Sequence, residues 1–207
     1  MSKGLTLKGI KLSLNGAVLL TLDATIAPGE VLTVMGPSGS GKSSLLAYVA
    51  GFLYRDFHAE GRVMLDGTDV TGLPAEQRHI GLLFQDPMLF PHLSVMGNVL
   101  FGIPPGIPDR RARAQAALAE VGLEGFGTYD PVRLSGGQKA RIALIRLLLS
   151  APSAVLLDEP FSKLDANLKD EIRTLVFARL RERQLPALLV THDEADARAA
   201  AGNVIRI

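Results

Sequence analysis

A glycine-rich segment between a predicted strand and a predicted helix constrains this chain more than any other feature. It reads Gly-Pro-Ser-Gly-Ser-Gly-Lys-Ser over 36–43, after the apolar run Val31–Met35 and before a helical pattern over 42–51. Glycines let backbone N–H groups turn towards an anion, and the helix N-terminus adds a favourable dipole. In this pattern the lysine reaches nucleotide phosphates and the last serine binds Mg²⁺. The residues expected to bind phosphate are Gly36, Pro37, Ser38, Gly39, Ser40, Gly41, Lys42, Ser43 and Ser44.

Two adjacent carboxylates follow a second apolar run. Residues 154–157 predict a buried strand that stops at Asp158 and Glu159. Ligands of open α/β sheets bind at the carboxyl ends of the strands, so both carboxylates are expected beside the glycine-rich loop. We expect Asp158 to support Mg²⁺ and Glu159 to orient or deprotonate an attacking water. Taken alone, the pair also fits a strand-end turn with solvated side chains, and the loop alone also fits a small-molecule kinase.

A third segment, Leu134–Gln138, precedes a helical pattern over 139–149. Ser135 offers a hydroxyl, while Gly136 and Gly137 leave the N–H groups of a helix start unhindered. The segment therefore predicts a second anion site, although the same residues fit an ordinary capped helix. A chain that already holds phosphates at Lys42 has little use for this site unless it contacts the nucleotide of another molecule.

The alternation of strands and helices predicts an α/β fold with a mainly parallel sheet. Short alternating runs over 3–35, broken at Asn15-Gly16 and Pro28-Gly29, predict antiparallel strands at the start of the chain. Residues 86–150 change to a mostly helical pattern, and the buried-strand rhythm returns after them. We expect one domain over 1–207, with a core formed by 1–85 and 151–207 and a helical subdomain over 86–150.

Composition excludes several classes of function. A net charge of +1 and 5% aromatic residues give no basis for nucleic-acid binding, so we expect no such partner. The absence of cysteine from the sequence excludes disulfides, thiolate metal sites and cysteine nucleophiles. No apolar run reaches the roughly 18 residues of a membrane helix, because Arg141 and Arg146 interrupt the best candidate. We expect the chain itself to be soluble.

The order of these segments resembles that of the ATP-binding cassette (ABC) ATPases, and the similarity covers essentially the whole chain. There, 134–138 corresponds to the signature sequence, which faces an ATP held in the P-loop of another protomer. The resemblance implies a P-loop NTPase core of the RecA-like type, ATP and Mg²⁺ as ligands, and ATP hydrolysis. It also implies a dimer with a second copy or a homologous ATPase subunit. Ser135, Gly136, Gly137 and Gln138 would then bind the partner's ATP.

The resemblance also assigns residues that no local pattern identifies. Gln85 corresponds to the Q-loop glutamine, which contacts Mg²⁺ and the attacking water. His192 corresponds to the switch histidine that holds the γ-phosphate, and Asp165 to a D-loop residue that bridges the dimer. The expected catalytic residues are Lys42, Gln85, Glu159 and His192, and the expected metal ligands are Ser43, Gln85 and Asp158.

The loop after Gln85 indicates a further partner. Phe84–Val95 is similar to the segment of bacterial importer ATPases that receives a transmembrane subunit. Met88, Leu89 and Phe90 make this loop too apolar for open solvent, although they also fit packing beneath the helical subdomain. We expect transmembrane permease subunits at this loop and a substrate-binding protein in the complex. The expected location is the cytoplasm, on the inner face of the cell membrane.

Two features depart from the family pattern, and three alternatives stay open. No aromatic residue precedes Tyr48, so Leu14 or Val18 is expected to contact adenine where relatives place an aromatic ring. Lys163 puts a cation in the segment that corresponds to the D-loop.

The alternatives to an importer ATPase are an exporter or lipoprotein-release ATPase, a soluble ABC ATPase outside transport, and a regulatory subunit that binds ATP without turnover.

Overall fold

The computed structural model describes residues 3–164 and 166–207, apart from the side chain of Asn167. It confirms the α/β class, with one antiparallel sheet and one parallel sheet. The strands are β1 (Leu5–Leu14), β2 (Ala17–Ile26), β3 (Val31–Met35), β4 (Phe57–Leu65), β5 (Thr68–Asp69), β6 (Ile80–Leu83), β7 (Ala154–Asp158), β8 (Ala187–Thr191) and β9 (Val204–Arg206). The helices are α1 (Lys42–Ala50), α2 (Val95–Gly102), α3 (Arg110–Glu120), α4 (Gly136–Leu149), α5 (Ala166–Glu182) and α6 (Glu194–Ala200).

The antiparallel sheet has the strand order β2-β1-β4-β5. Its first hairpin turns at Asn15-Gly16, where both residues have positive φ (51° and 81°), as a two-residue hairpin turn of this hand requires. This confirms the predicted antiparallel start of the chain. β4 begins at Phe57, which pairs with Leu14 at the end of β1, and the residues after it continue that pairing.

The parallel sheet has the order β6-β7-β8-β3-β9, and it is covered on both faces. Successive side chains alternate between the faces. Leu156 and Leu188 pack on one face in the apolar cluster that includes α1 and the antiparallel sheet. Val155 and Leu189 pack on the other face against α4 and α5. Covered faces explain why β3 and β8 are buried along their whole length.

Strand register brings the chemically interesting residues to one edge. Met35 of β3 pairs with Thr191 of β8, Asp158 of β7 pairs with Val190, and Leu83 of β6 pairs with Leu157. Because all these strands are parallel, their carboxyl ends lie side by side. The segments that follow them, namely 36–43, 84–85, 159 and 192, therefore leave the sheet from the same edge.

The helices α2, α3 and α4 surround a separate apolar cluster. α4 begins at Gly136, three residues before the predicted start at Lys139, because Ser135 caps it. α2 and α4 approach closely at Gly102, where an added Cβ would meet the backbone of Arg146. Within 3–164 and 166–207, no helix combines the length and the apolar character needed to cross a bilayer.

Candidate active site

The glycine-rich loop turns into α1 through residues in left-handed backbone conformations. Gly39 has φ of 83° and Gly41, the N-cap of α1, has φ of 88°. No side chain caps the start of α1, so its first N–H groups are left for another acceptor. Pro37, Ser38 and Gly39 are exposed, while Ser44 is half-buried in the first helical turn.

Lys42 lies inside this loop. Its Nζ donates to the carbonyl oxygens of Gly36 at 2.9 Å and Pro37 at 2.6 Å, and lies 3.5 Å from Ser40 Oγ. The residue is only 6% exposed, and no carboxylate in the described part of the chain lies within ion-pair distance. A buried ammonium whose hydrogen bonds all go to neutral oxygens favours the approach of an anion, which would neutralise its charge. Lys42 therefore fits a phosphate site.

Ser43 and Asp158 meet across the gap between α1 and β7. Ser43 Oγ donates to Asp158 Oδ1 at 3.1 Å. Burial raises the pKa of Asp158, and the neighbouring Glu159 raises it further, against the lowering effects of the Ser43 hydrogen bond and the Lys42 charge. A carboxylate that is costly to ionise in this position gains from a bound cation. One carboxylate and one hydroxyl beside a phosphate site fit Mg²⁺, which binds through few protein ligands.

Glu159 and His192 lie next to each other at the same sheet edge. His192 Nδ1 is 3.1 Å from Glu159 Oε1, and the histidine side chain is 66% exposed whereas the glutamate side chain is 26% exposed. Glu159 has φ of 43°, an unfavourable value for a side chain of this size. Its backbone is fixed in this conformation, because its N–H donates to Val190 O and its carbonyl accepts from Ser162 Oγ. Such strain is typical of functional sites.

Gln85 follows β6 at this edge, two residues beyond Leu83, but no hydrogen bond in the described part of the chain joins its side chain to the other site residues. Its side chain is exposed and forms no hydrogen bond within the described residues. The next residue, Asp86, accepts from Lys163 Nζ at 2.9 Å, so Lys163 is tied to the loop after Gln85. Asp165 lies outside the described residues.

The segment 134–138 forms a separate helix start, that of α4. Ser135 Oγ accepts from Gln138 N, and Gln138 Oε1 accepts from Ser135 N, which makes a reciprocal capping box. The N–H groups of Gly136 and Gly137 have no acceptor among the residues described. Ser135 and Gly136 are exposed, whereas Gly137 is buried against Leu168. Across the described chain, no hydrogen bond or ion pair joins this helix start to the loop 36–43.

An apolar groove of about 320 Å³ opens beside the loop after Gln85. Met88 and Phe101 on its rim are 61% and 67% exposed, while Leu89 packs inward against two apolar clusters. The sequence left two interpretations of this loop, a partner surface and packing beneath the helical subdomain. Met88 faces outward as a partner surface requires, whereas Leu89 packs inside.

Arg146 of α4 holds in place the loop after Gln85, which we call the groove loop (residues 86–90). The sequence did not predict this role. Its guanidinium donates to the carbonyl oxygens of Pro87 at 3.2 Å and Met88 at 3.0 Å, and to Asn98 Oδ1 at 3.3 Å. It also lies 5.2 Å from the centre of the Phe90 ring. The signal in the sequence was an arginine among the apolar residues at the end of α4.

Fold and site together define a nucleotide-binding protein of the P-loop type. The profile of the family described as ABC transporter matches residues 19–162. The chain is 44% identical to the uncharacterized ABC transporter ATP-binding protein YnjD of Escherichia coli K12, over 94% of this chain and 91% of that protein. It is 46% identical to the thiamine import ATP-binding protein ThiQ of Cereibacter sphaeroides, over 93% of this chain and 83% of that protein.

Two further comparisons agree. The chain is 41% identical to the Fe(3+) ions import ATP-binding protein FbpC 1 of Rhizobium meliloti, over 89% of this chain but 52% of that protein. Among solved structures, the dimeric post-hydrolysis state of the ATP-binding cassette MJ0796, bound to ADP and Pi, superposes with a TM-score of 0.79. That similarity is at 31% identity over 98% of this chain and 94% of the other. The chain belongs to the ABC transporter family and is an ATP-binding ATPase of that family.

Proposed function

We propose that this chain is the ATP-hydrolysing subunit of a bacterial importer and that it completes its ATP sites by pairing with a second copy. One observation carries this proposal. Lys42, Ser43, Asp158, Glu159 and His192 converge at one sheet edge, while the helix start at 135–138 exposes Ser135 and Gly136 and forms no hydrogen bond or ion pair with them among the described residues. A site divided in this way fits two ligand-binding halves that meet only between molecules.

Each residue at the sheet edge has a distinct role in this proposal. Lys42 binds the β- and γ-phosphates of ATP. Ser43 and Asp158 hold Mg²⁺, which neutralises phosphate charge when it is bound. Glu159 orients the attacking water and accepts its proton. His192 holds the γ-phosphate, and Gln85 joins the metal and water when its loop moves inward.

The second copy supplies the remaining ligands. The Ser135 hydroxyl and the N–H groups of Gly136 and Gly137 bind the γ-phosphate of the ATP held by the other protomer. Gln138 supports them through the capping box. Asp165 bridges the two protomers. A homologous ATPase subunit with the same segments would serve equally as the partner.

The groove beside the loop after Gln85 receives a transmembrane permease subunit. Its exposed rim residues Met88 and Phe101 are suited to an apolar partner surface. The similarity to the thiamine import and Fe(3+) ions import ATP-binding proteins supports import as the direction of transport. The complex then includes a substrate-binding protein, and the chain sits on the cytoplasmic face of the membrane without crossing it.

The same proposal divides the chain into two parts. Residues 1–85 and 151–207 form the nucleotide-binding core with its antiparallel sheet, and 86–150 form a helical subdomain. The separate apolar cluster beneath α2, α3 and α4 supports this division. ATP binding at the core and permease contact at the groove would then act on different parts of one chain.

The enzymatic part of the proposal is tested by comparing the wild type with Glu159→Gln in phosphate release, with the membrane partners present. We expect the variant to bind ATP and to dimerise on it, while its turnover falls by a factor on the order of 10²–10⁴. A wild type that dimerises on ATP but releases no phosphate would indicate a regulatory subunit instead.

The groove is tested with two aspartate variants. Phe101 lies on the groove rim and is 67% exposed, and Tyr54 is 72% exposed but lies outside the groove, so it serves as a matched control. We expect Phe101→Asp to lose co-purification with the permease subunits, whereas Tyr54→Asp retains it. Equal retention by both variants contradicts the groove as the docking site.

A further inference from the structure

A buried network of hydrogen bonds joins α5, α6 and the end of β8, next to His192 in the chain. Asp196 of α6 is 2% exposed. Its Oδ1 accepts from Arg173 Nε at 2.9 Å and from Arg173 Nη2 at 2.6 Å, and its Oδ2 accepts from Thr191 Oγ1 at 2.8 Å. Each carboxylate oxygen therefore has a donor, as a buried charge requires.

The network fixes the chain on both sides of His192. Thr191, the residue before it, donates its hydroxyl to Asp196. The same hydroxyl oxygen accepts from the N–H of Asp193, the residue after it, at 3.0 Å. The His192 side chain itself is 66% exposed, so packing does little to orient its ring. Its approach to Glu159 depends instead on the backbone turn that Thr191 and Asp196 hold.

Arg173 links this turn to the segment that carries Glu159. Its guanidinium carbon lies 5.7 Å from the centre of the Phe161 ring, and Phe161 follows Glu159 by two residues. Nη2 of Arg173 also lies 3.6 Å from Asp193 Oδ2. One buried side chain on α5 thus contacts both loops whose ends meet at the His192–Glu159 contact.

We infer that Thr191 and Asp196, anchored by Arg173, are positioning residues that hold His192 against Glu159 for ATP hydrolysis. A buried ion pair adds little stability over apolar side chains of the same volume, so its value here lies in the geometry it fixes. This inference rests on the proposed function. None of the three side chains needs to touch nucleotide for the inference to hold.

The test uses threonine variants of nearly unchanged shape. Thr191→Val replaces the hydroxyl with a methyl group, and Thr191→Ser keeps the hydroxyl. Thr33 is the matched control, because it is fully buried on the adjacent strand β3 and its hydroxyl has no partner within the described residues. Phosphate release, ATP KM and thermal unfolding are measured for the full chain with its membrane partners.

We expect Thr191→Val to lower kcat roughly tenfold, or about 1.4 kcal/mol of barrier, with ATP KM changed less than about twofold. Thr191→Ser should recover most of the lost rate, and Thr33→Val should match the wild type. In a His192→Ala background, Thr191→Val should lower kcat no further, because its effect passes through the missing imidazole.

Three results overturn the inference while the proposed function stands. The first is a wild-type rate for Thr191→Val in a chain that hydrolyses ATP. The second is the same fold loss in kcat with and without His192, which would indicate a general structural defect. The third is a melting temperature that falls with kcat in both Thr191 variants, which would assign the network to stability alone. By contrast, a wild type without turnover refutes the proposed function.

Discussion

Replacing Arg146 with methionine removes the link between α4 and the groove loop while filling most of its volume. The change deletes two hydrogen bonds to the carbonyls of Pro87 and Met88, each worth about 1 kcal/mol net. It also deletes the contact with the Phe90 ring, worth about 0.5–1 kcal/mol. The bond to Asn98 adds little, because Asn98 Oδ1 still accepts from Phe90 N.

One effect opposes these losses. Burial lowers the pKa of Arg146, which means that holding its charge in this position costs free energy that the uncharged methionine does not. We therefore expect the free energy of unfolding to fall by about 2 kcal/mol, which is less than the two hydrogen bonds and the ring contact together would contribute. Arg146→Lys keeps the charge but loses the planar fork of donors, so it should recover only part of the loss.

Urea unfolding of the full chain measures this free energy, and amide hydrogen exchange shows where it is lost. We expect faster exchange over 85–90 in Arg146→Met, because these backbone groups lose their anchor on α4. Arg111→Met is the control, since Arg111 is an exposed arginine on the neighbouring helix α3. If both methionine variants unfold at the same urea concentration and exchange over 85–90 is unchanged, the proposed anchor is refuted.

Three further predictions concern the site and its surroundings. Burial raises the pKa of Asp158 in the folded chain above its usual 3.8. The ionised side chain therefore lowers the stability of the fold at neutral pH. This destabilisation disappears as the pH falls through the pKa that Asp158 has in the folded chain, because the side chain becomes neutral. Asp158→Asn should therefore melt higher than the nucleotide-free wild type at pH 7, with the difference vanishing near pH 3.8, and should lose Mg²⁺-dependent stabilisation by ATP. Leu14→Tyr should tighten ATP binding roughly tenfold in calorimetry by adding a base-stacking surface. Lys163→Ala should change the free energy of unfolding, measured in urea, by less than about 0.5 kcal/mol, since the ion pair of Lys163 with Asp86 is exposed.

Two residues of the site could be expected at the sheet edge from the sequence, because they come at the end of an apolar run. A buried parallel strand must end at that edge, and Asp158 at the end of β7 pairs there with Val190 of β8, with Glu159 following it. His192 was assigned only through the family resemblance, and it follows Thr191 at the end of β8. The residues at which helices and strands begin were harder to predict from the sequence. α4 starts earlier than predicted because the capping box depends on the reciprocal geometry of two side chains, Ser135 and Gln138.

Contacts between distant segments could not be predicted from the sequence. Arg146 meets Met88 across 58 residues, and Arg173 meets Asp196 across 23 residues. No local periodicity marks such pairs, because only the packed helices bring them together. The role of Gln85 also stays a prediction, since its exposed side chain forms no hydrogen bond within the described residues.

The central claim is that each ATP site takes its phosphate loop from one chain and its signature helix from another. Lys42→Ala removes the first half, Ser135→Arg blocks the second, and each variant alone should be inactive. Mixed in equal amounts, they should form some dimers with one intact site, and phosphate release should return to about a quarter of the wild-type rate if sites act independently. No recovery, in a mixture where differently tagged chains are shown to pair, would contradict the shared site.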